Sequence, residues 1–294
     1  MNTSSKPLYG VLLVLCAGFL LALHDGFSKY LTLTYPLLMV IWVRYCVQTL
    51  SMLLVFFPRM RLAMLRTGRP WLQLLRALCL LSISLLFIGG LRYIPLAEAT
   101  AVIFLAPLIV TVLSAAVLRE QVSAGQWLAV SIGFLGVLFI VRPGGALFTP
   151  AILLPICASV CFALYQLITR RLASTDHAVT SNFLSGLFGA LALSVFLPGH
   201  YSSDIAQVDL LFMLALGLLA MTAHMLLTMA LKYSSAATLA PFTYAQIIFA
   251  GVVGYLAFAH TPDTLSVVGV VIISGSGLAV AYLQHRGAAP TQSS

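Results

Sequence analysis

Charge is what this 294-residue chain has least of: 7% of its residues are charged, with 7 acidic against 15 basic. That scarcity excludes an ordinary soluble domain, in which roughly a quarter of residues carry charge. A formal charge of +8 would suggest nucleic acid as partner in a soluble chain. Here the basic residues lie mainly in short connections between apolar runs, where they set membrane orientation instead, and nucleic-acid binding is excluded. Catalytic patterns are missing as well. No H-E-x-x-H, G-x-S-x-G or GxxxxGK[ST] occurs, so zinc-peptidase, serine-hydrolase and nucleotide-driven chemistry drop out, and neither an enzyme nor a cofactor is expected. The cysteines Cys16, Cys46, Cys79, Cys157 and Cys161 fall inside apolar segments without metal-ligand spacing, which predicts packing residues and no metal site. No A-x-A-like cleavage site follows the weakly basic start, and Leu15 precedes Cys16 where a lipoprotein signal would place a small residue, so no cleaved leader is expected.

What is abundant is apolar surface: 61% of residues are hydrophobic and the mean hydropathy is +1.07. Runs of about 20 apolar residues, the length that crosses a bilayer core, recur ten times. They lie near residues 9–31, 36–57, 71–91, 96–118, 125–141, 149–170, 178–198, 208–230, 236–258 and 264–284. The pattern predicts an all-α membrane protein of ten transmembrane helices with the lipid bilayer as its surroundings and no soluble domain. With the N-terminus inside, ten of the 15 basic residues fall on the inner side, among them Arg59, Arg66, Arg69 and Arg170. Three fall on or near the outer side, Lys29, Arg92 and Arg142, while Arg44 and Arg76 lie within spans. This asymmetry predicts a multi-pass protein of a bacterial inner (plasma) membrane with both termini cytoplasmic.

The chain also repeats itself. LLVLCAGFLLAL at 12–23 aligns with LLPICASVCFAL at 153–164 at an offset of 141, and Leu91-Arg92-Tyr93 with Leu231-Lys232-Tyr233 at an offset of 140. Two halves follow, residues 1–145 and 146–294, each with five helices. Because five is odd, the second half enters the membrane from the opposite side, which predicts an inverted repeat of the kind used for alternating access around a midplane site.

At this point the chain resembles the EamA type of the drug/metabolite transporter superfamily. The likeness rests on the ten-helix duplication and on Leu91–Ile140, where Pro95, Pro107, Glu120, Gln126-Trp127, Gly133 and Gly136 stand at that family's landmarks. Arg119 replaces the usual glycine, and the second half has Ala259-His260 in place of Arg119-Glu120. The resemblance implies a gradient-driven carrier of a small-molecule substrate. It adds that an acid four residues before a lysine on the first helix marks a subgroup of the family.

Ionisable and polar groups inside the spans point to the site, since a charge at helix-centre depth costs about 2.5–3.5 kcal/mol on insertion scales and usually lines a path or finds a partner. Asp25 lies roughly 9 Å and Arg44 roughly 12 Å from one surface by helix rise. Asp25 and Lys29, at i, i+4, share a face and form either a self-neutralising ion pair or a proton-coupling group. Arg44 is too deep to snorkel and should face inward with Gln48, with Asp25, Glu98 or a substrate carboxylate as its partner. His24-Asp25 matches Tyr165-Gln166 in the repeat, so the latter pair is either a neutral inner station or an interfacial anchor. Tyr244 and Gln246 on the ninth helix match the Phe104–Pro107 region of the fourth, and Pro107 frees a carbonyl that can line a cavity. Arg76 is close enough to the inner surface to snorkel, and His224 reads as a satisfied packing residue. Asp25 and Glu98 against Lys29, Arg44 and Arg76 leave one excess positive charge among the embedded groups. The expectation is therefore export of a small polar, carboxylate-bearing metabolite, an amino acid or an opine-like metal-chelating conjugate, with coupling to a proton gradient left open. The competing reading is import of a ring-containing metabolite such as riboflavin or a nucleoside-like cofactor, stacked on Trp42, Phe104 and Tyr244.

Overall fold

A computed structural model describes residues 7–117, 122–142, 145, 147–234, 239 and 242–287, and among these every regular element is helical. The helices are α1 (Pro7–Thr34), α2 (Leu37–Met60), α3 (Pro70–Ile83, continued through Ser84–Ile88 to Gly89–Leu91), α4 (Leu96–Ile103 and Ala106–Val117), α5 (Ala124–Val141), α6 (Leu153–Leu172), α7 (Ala178–Phe196), α8 (Gln207–Tyr233), α9 (Ala245–Phe258) and α10 (Thr264–Gly287). Among the described residues nine segments are long and apolar enough to span a bilayer, and Ala245–Phe258 is a shorter apolar helix. The start of the expected 236–258 span and the Arg119-Glu120 step lie partly or wholly outside the described residues.

Local chemistry accounts for the boundaries. Pro36 supplies the extended residue, φ −57° and ψ 132°, that separates α1 from α2. Ser123 and Gln126 form a reciprocal capping box at the start of α5. The second span, expected near 36–57, runs on as α2 through Pro58 to Met60, followed by a short 3₁₀ turn at Arg61–Leu65.

Two interruptions shape the interior. In α3 the hydrogen bonding widens to a π-turn over Ser84–Ile88, a feature frequent at functional sites. In α4 the helix breaks at Phe104-Leu105, three residues before Pro107, whose missing N–H cannot continue the ladder to Ile103. The start of α9 lies against this break, with the Phe104 and Tyr244 rings 5.1 Å apart.

The helices pack in pairs drawn from both halves. α1 lies along α8 and α9, α6 along α3 and α4, α2 on α7 and α8, α3 on α7, and α5 along α10. The α5–α10 approach depends on small residues: a Cβ on Gly136 would sit 3.0 Å from the Gly269 carbonyl, and one on Gly269 2.6 Å from the Gly136 carbonyl. Membrane helices gain little from the hydrophobic effect between one another, so such close backbone contact supplies the dispersion that holds them.

Candidate functional site

Polar groups sort into three layers along the bundle. In the middle, His24 Nδ1 and Asp25 Oδ1 lie 2.9 Å apart on α1, and Gln246 Nε2 of α9 donates to Asp25 Oδ2 at 3.4 Å. Opposite them, Arg44 on α2 is 5% exposed and donates from Nη1 to Ser84 Oγ at 2.8 Å. Its guanidinium lies 4.7 Å from the centre of the Tyr45 ring, whose hydroxyl shares Ser84 at 2.9 Å. The π-turn in α3 therefore presents a hydroxyl where the sequence shows only an apolar run. Arg44 also lies within electrostatic range of His24 and His224.

This layer is under-bonded. His24 Nε2, Arg44 Nε, Gln48 Oε1 and Thr49 Oγ1 are buried without a hydrogen-bond partner, all on α1 and α2. Buried polar atoms are partnered in the great majority of cases, so these four atoms are exceptions that the resting fold leaves open. Among the described residues no carboxylate pairs with Arg44: the ion pairs there are His24–Asp25, Arg142–Asp263 and His260–Glu98.

Toward the face that carries Pro7, Arg76 on α3 is 2% exposed and uses all five N–H groups. Nε donates to Thr169 Oγ1 at 2.8 Å, Nη1 to the Ser181 carbonyl and Ser185 Oγ, each at 2.7 Å, and Nη2 to Tyr165 OH at 2.6 Å and Asn182 Oδ1 at 3.0 Å. It does not snorkel. Helices α3, α6 and α7 converge on this one side chain. Further out, Gln73 Nε2 donates to Asp176 Oδ2 and to Ser181 Oγ, and Asp176 also accepts from Thr67 and from the Gly68 amide. Burial works against the Asp176 carboxylate, but these hydrogen bonds outweigh it and hold the group below the ordinary aspartate range.

At the opposite face, Glu98 Oε1 lies 3.0 Å from His260 Nε2, and Arg142 forms a two-pronged pair with Asp263. That pairing keeps the Asp263 carboxyl well below its usual range. Tyr35 OH donates to Asp209 Oδ2 at 2.7 Å, and this hydrogen bond raises the Tyr35 phenol above its ordinary value.

Three expectations are corrected. Lys29 does not pair with Asp25: its ammonium donates to the Leu91 and Ile94 carbonyls, the latter at 2.8 Å. The Leu91 oxygen belongs to the C-terminal end of α3, where carbonyls lack helical partners and the helix dipole favours a cation, and Ile94 lies in the link just beyond it. Arg44 rests on Ser84 rather than on Asp25 or Glu98. Tyr165 is no interfacial anchor, since it bonds Arg76 through its hydroxyl and stacks under the guanidinium at 4.6 Å.

Of the remaining expected residues, Gln166 is half-buried and makes no hydrogen bond among the described residues. Tyr244 OH is buried without a partner beside Phe104. Trp42 donates from Nε1 to Ser194 Oγ of α7 at 2.8 Å. His224 is half-buried, with Nδ1 3.3 Å from the Ala220 carbonyl. Ser84, Asn182, Asp176 and Asp209 went unnoticed in the sequence: the first two are neutral residues in apolar runs, and the others look like a solvated turn and a helix start. Among the described residues no group of three or more His, Cys, Asp or Glu could share a metal ion.

Comparison with known proteins gives a consistent set. Residues 8–142 and again 149–282 match the EamA-like transporter family. An S-adenosylmethionine uptake transporter of Rickettsia prowazekii (strain Madrid E) is 26% identical over 97% of each chain. A riboflavin transporter of Vibrio cholerae is 27% identical over 96% of this chain and 95% of its own. The pseudopaline exporter CntI of Pseudomonas aeruginosa (strain UCBPP-PA14) is 26% identical over 90% and 93%. A solved crystal structure that is 17% identical superposes with a TM-score of 0.65, covering 97% of this chain and 99% of its own, which speaks for the fold.

Proposed function

The chain belongs to the EamA-like transporter family, and from that premise we propose that it is an inner-membrane carrier that exports a small polar, carboxylate-bearing metabolite by alternating access. The observation that carries the substrate class is Arg44: a buried guanidinium with an open Nε, a hydroxyl as its direct hydrogen-bond partner and no carboxylate within ion-pair distance among the described residues. A planar fork of this kind binds carboxylate in two-pronged fashion. His24, Gln48 and Thr49 offer open acceptors or donors nearby, and Gln246 and Asp25 close the other side. Amino acids and opine-like conjugates, which carry both carboxylate and amine, match this mixture of signs.

The packing supports alternating access. Exchanging each helix of the first half for its counterpart in the second turns α1–α8 into α6–α3, α1–α9 into α6–α4 and α2–α8 into α7–α3, and it leaves α2–α7 and α5–α10 unchanged. A pseudo-twofold axis between halves divided near residue 145 would produce this pattern, and five helices per half would invert one half against the other. With the termini cytoplasmic, as the basic residues favour, the Arg76 and Asp176 ties close the inner face and the Glu98, Arg142 and Asp209 contacts close the outer one. Relatives are named both for export and for uptake, so direction rests on an assay.

The test is transport in sealed vesicles of both orientations with a panel of amino acids, opine-like conjugates and their carboxamides, beside riboflavin and nucleosides. Carboxylates should move, their amides should not, and Arg44→Gln should abolish movement while membrane insertion stays normal. Equal transport of acids and amides would refute the substrate class, and accumulation only into right-side-out vesicles would reverse the direction.

A further inference from the structure

Glu98 is 2% exposed in the first turn of α4, and its Oε2 is buried with no hydrogen-bond partner, while Oε1 meets His260. The His260 side chain is 37% exposed, so the imidazole joins a buried carboxyl to the surface. Its placement is built into the backbone. Ala259 caps α9 in a left-handed conformation, φ 51°, that residues with a Cβ rarely adopt, and the His260 amide turns back to the Gly254 carbonyl at 3.3 Å. Beside the pair lies a cavity of about 210 Å³ lined by Lys29, Tyr93, Pro95, Leu96, Phe258 and His260. At ~30 Å³ per molecule, that is space for several waters.

From this geometry we propose that Glu98 is a proton-binding site, loaded and unloaded from the cavity through His260. The pair has two charge-balanced arrangements. In one, Glu98 holds the proton as an acid and gives a hydrogen bond to the lone pair on Nε2. In the other, the proton has crossed to Nε2 and a carboxylate faces an imidazolium. Exchange with cavity water at His260 completes each transfer, and no other reactant is needed.

The charged and titratable groups around this segment come from α1, the link after α3, α6, α9 and the stretch after His260, where Asp263 pairs with Arg142. α1 contributes Lys29, within electrostatic range of Glu98 and over the Phe258 ring at 5.6 Å. The link after α3 brings Arg92 and Tyr93, both exposed, while Cys157 of α6 and Tyr255 of α9 are also exposed. The outer part of α10 carries no titratable side chain from Thr264 to Val271. Glu98 belongs to the first half of the chain and His260 to the second, so each proton bound or released changes an ion pair between the halves. That is how a proton gradient would bias the exchange of inner and outer openings. The inference does not depend on the substrate or on Arg44.

The experiment is an infrared pH titration of the purified protein in lipid nanodiscs, reading the stretching band of protonated carboxyl groups, with folding checked by gel filtration and circular dichroism. One component of that band should vanish in Glu98→Gln. In His260→Gln the component should persist, but its rise after a pH jump should slow on the order of 10²-fold, the usual contribution of a positioned acid–base group, and dissolved imidazole should restore the rate. If Glu98→Gln does not fold, the exposed His260→Gln decides alone. An unchanged band in Glu98→Gln, or a wild-type rate in His260→Gln, overturns the proposal.

Discussion

Replacing Arg76 with lysine is a sharp test of the architecture, because it keeps the charge and changes only the number and directions of donors. The guanidinium places five N–H groups on five acceptors, drawn from Tyr165 and Thr169 on α6 and from Ser181, Asn182 and Ser185 on α7. An ammonium has three donors on a tetrahedral head, so at least two acceptors lose their partner. Interhelical hydrogen bonds in membrane proteins average ~0.6 kcal/mol, and bonds to a charged group are worth ~1.5–3 kcal/mol, so two lost bonds amount to roughly 1–6 kcal/mol. Reversible unfolding in mixed detergent micelles measures the difference directly. Stability of Arg76→Lys within about 0.5 kcal/mol of wild type would mean that Arg76 does not tie α3 to α6 and α7, and the closure assigned to that face would fall with it.

Asp25 and Arg44 share no ion pair, so the stability effects of Asp25→Asn and Arg44→Gln should add within about 0.5 kcal/mol in a double-mutant cycle; coupling well above that would mean direct contact. A Cβ on Gly277 would lie 1.5 Å from Tyr244 OH, so Gly277→Ala should cost about 1–3 kcal/mol in the same unfolding assay and recover in combination with Tyr244→Leu; an unaffected single variant would refute the α9–α10 contact. The Asp176 carboxyl is held below its ordinary value by Thr67, Gln73 and Gly68, so its stabilisation is present above the unfolded-state value and lost as pH falls through the folded one. Thermal melting of wild type and Asp176→Asn should therefore differ at neutral pH and converge in acid; a pH-independent gap would refute the assignment.

How much of this was legible in the sequence differs between elements. The apolar helices follow from hydropathy, because a bilayer forces every backbone polar group into a helix, and of the ten spans expected nine are long enough to cross among the described residues, with Ala245–Phe258 shorter. Even so, α2 runs past Pro58 to Met60, since a proline in the last turn costs one hydrogen bond, to the Leu54 carbonyl, and leaves little helix beyond it to disrupt. The inward placement of Arg44 and Gln48 was readable from i, i+4 spacing and depth. The placement of Gln246 beside Asp25 was readable only as an inward residue, without its partner.

Helical spacing fixes which side chains share a face, and it says nothing about what lies across from that face. Asp25 and Lys29 share one, yet the ammonium goes to the Leu91 and Ile94 carbonyls at and just beyond the end of α3. Arg76 is shallow enough to reach water by length alone, but five acceptors on α6 and α7 hold it inside. Ser84 matters only because the π-turn aims it at Arg44, and Asp176 only because two loops more than a hundred residues apart meet there. Composition and periodicity determined an all-helical membrane protein with charges in its interior. Which charges are saturated, which stay open and which bridge the two halves was decided by tertiary packing, because a partner's identity depends on the neighbouring helix and not on the residue's own.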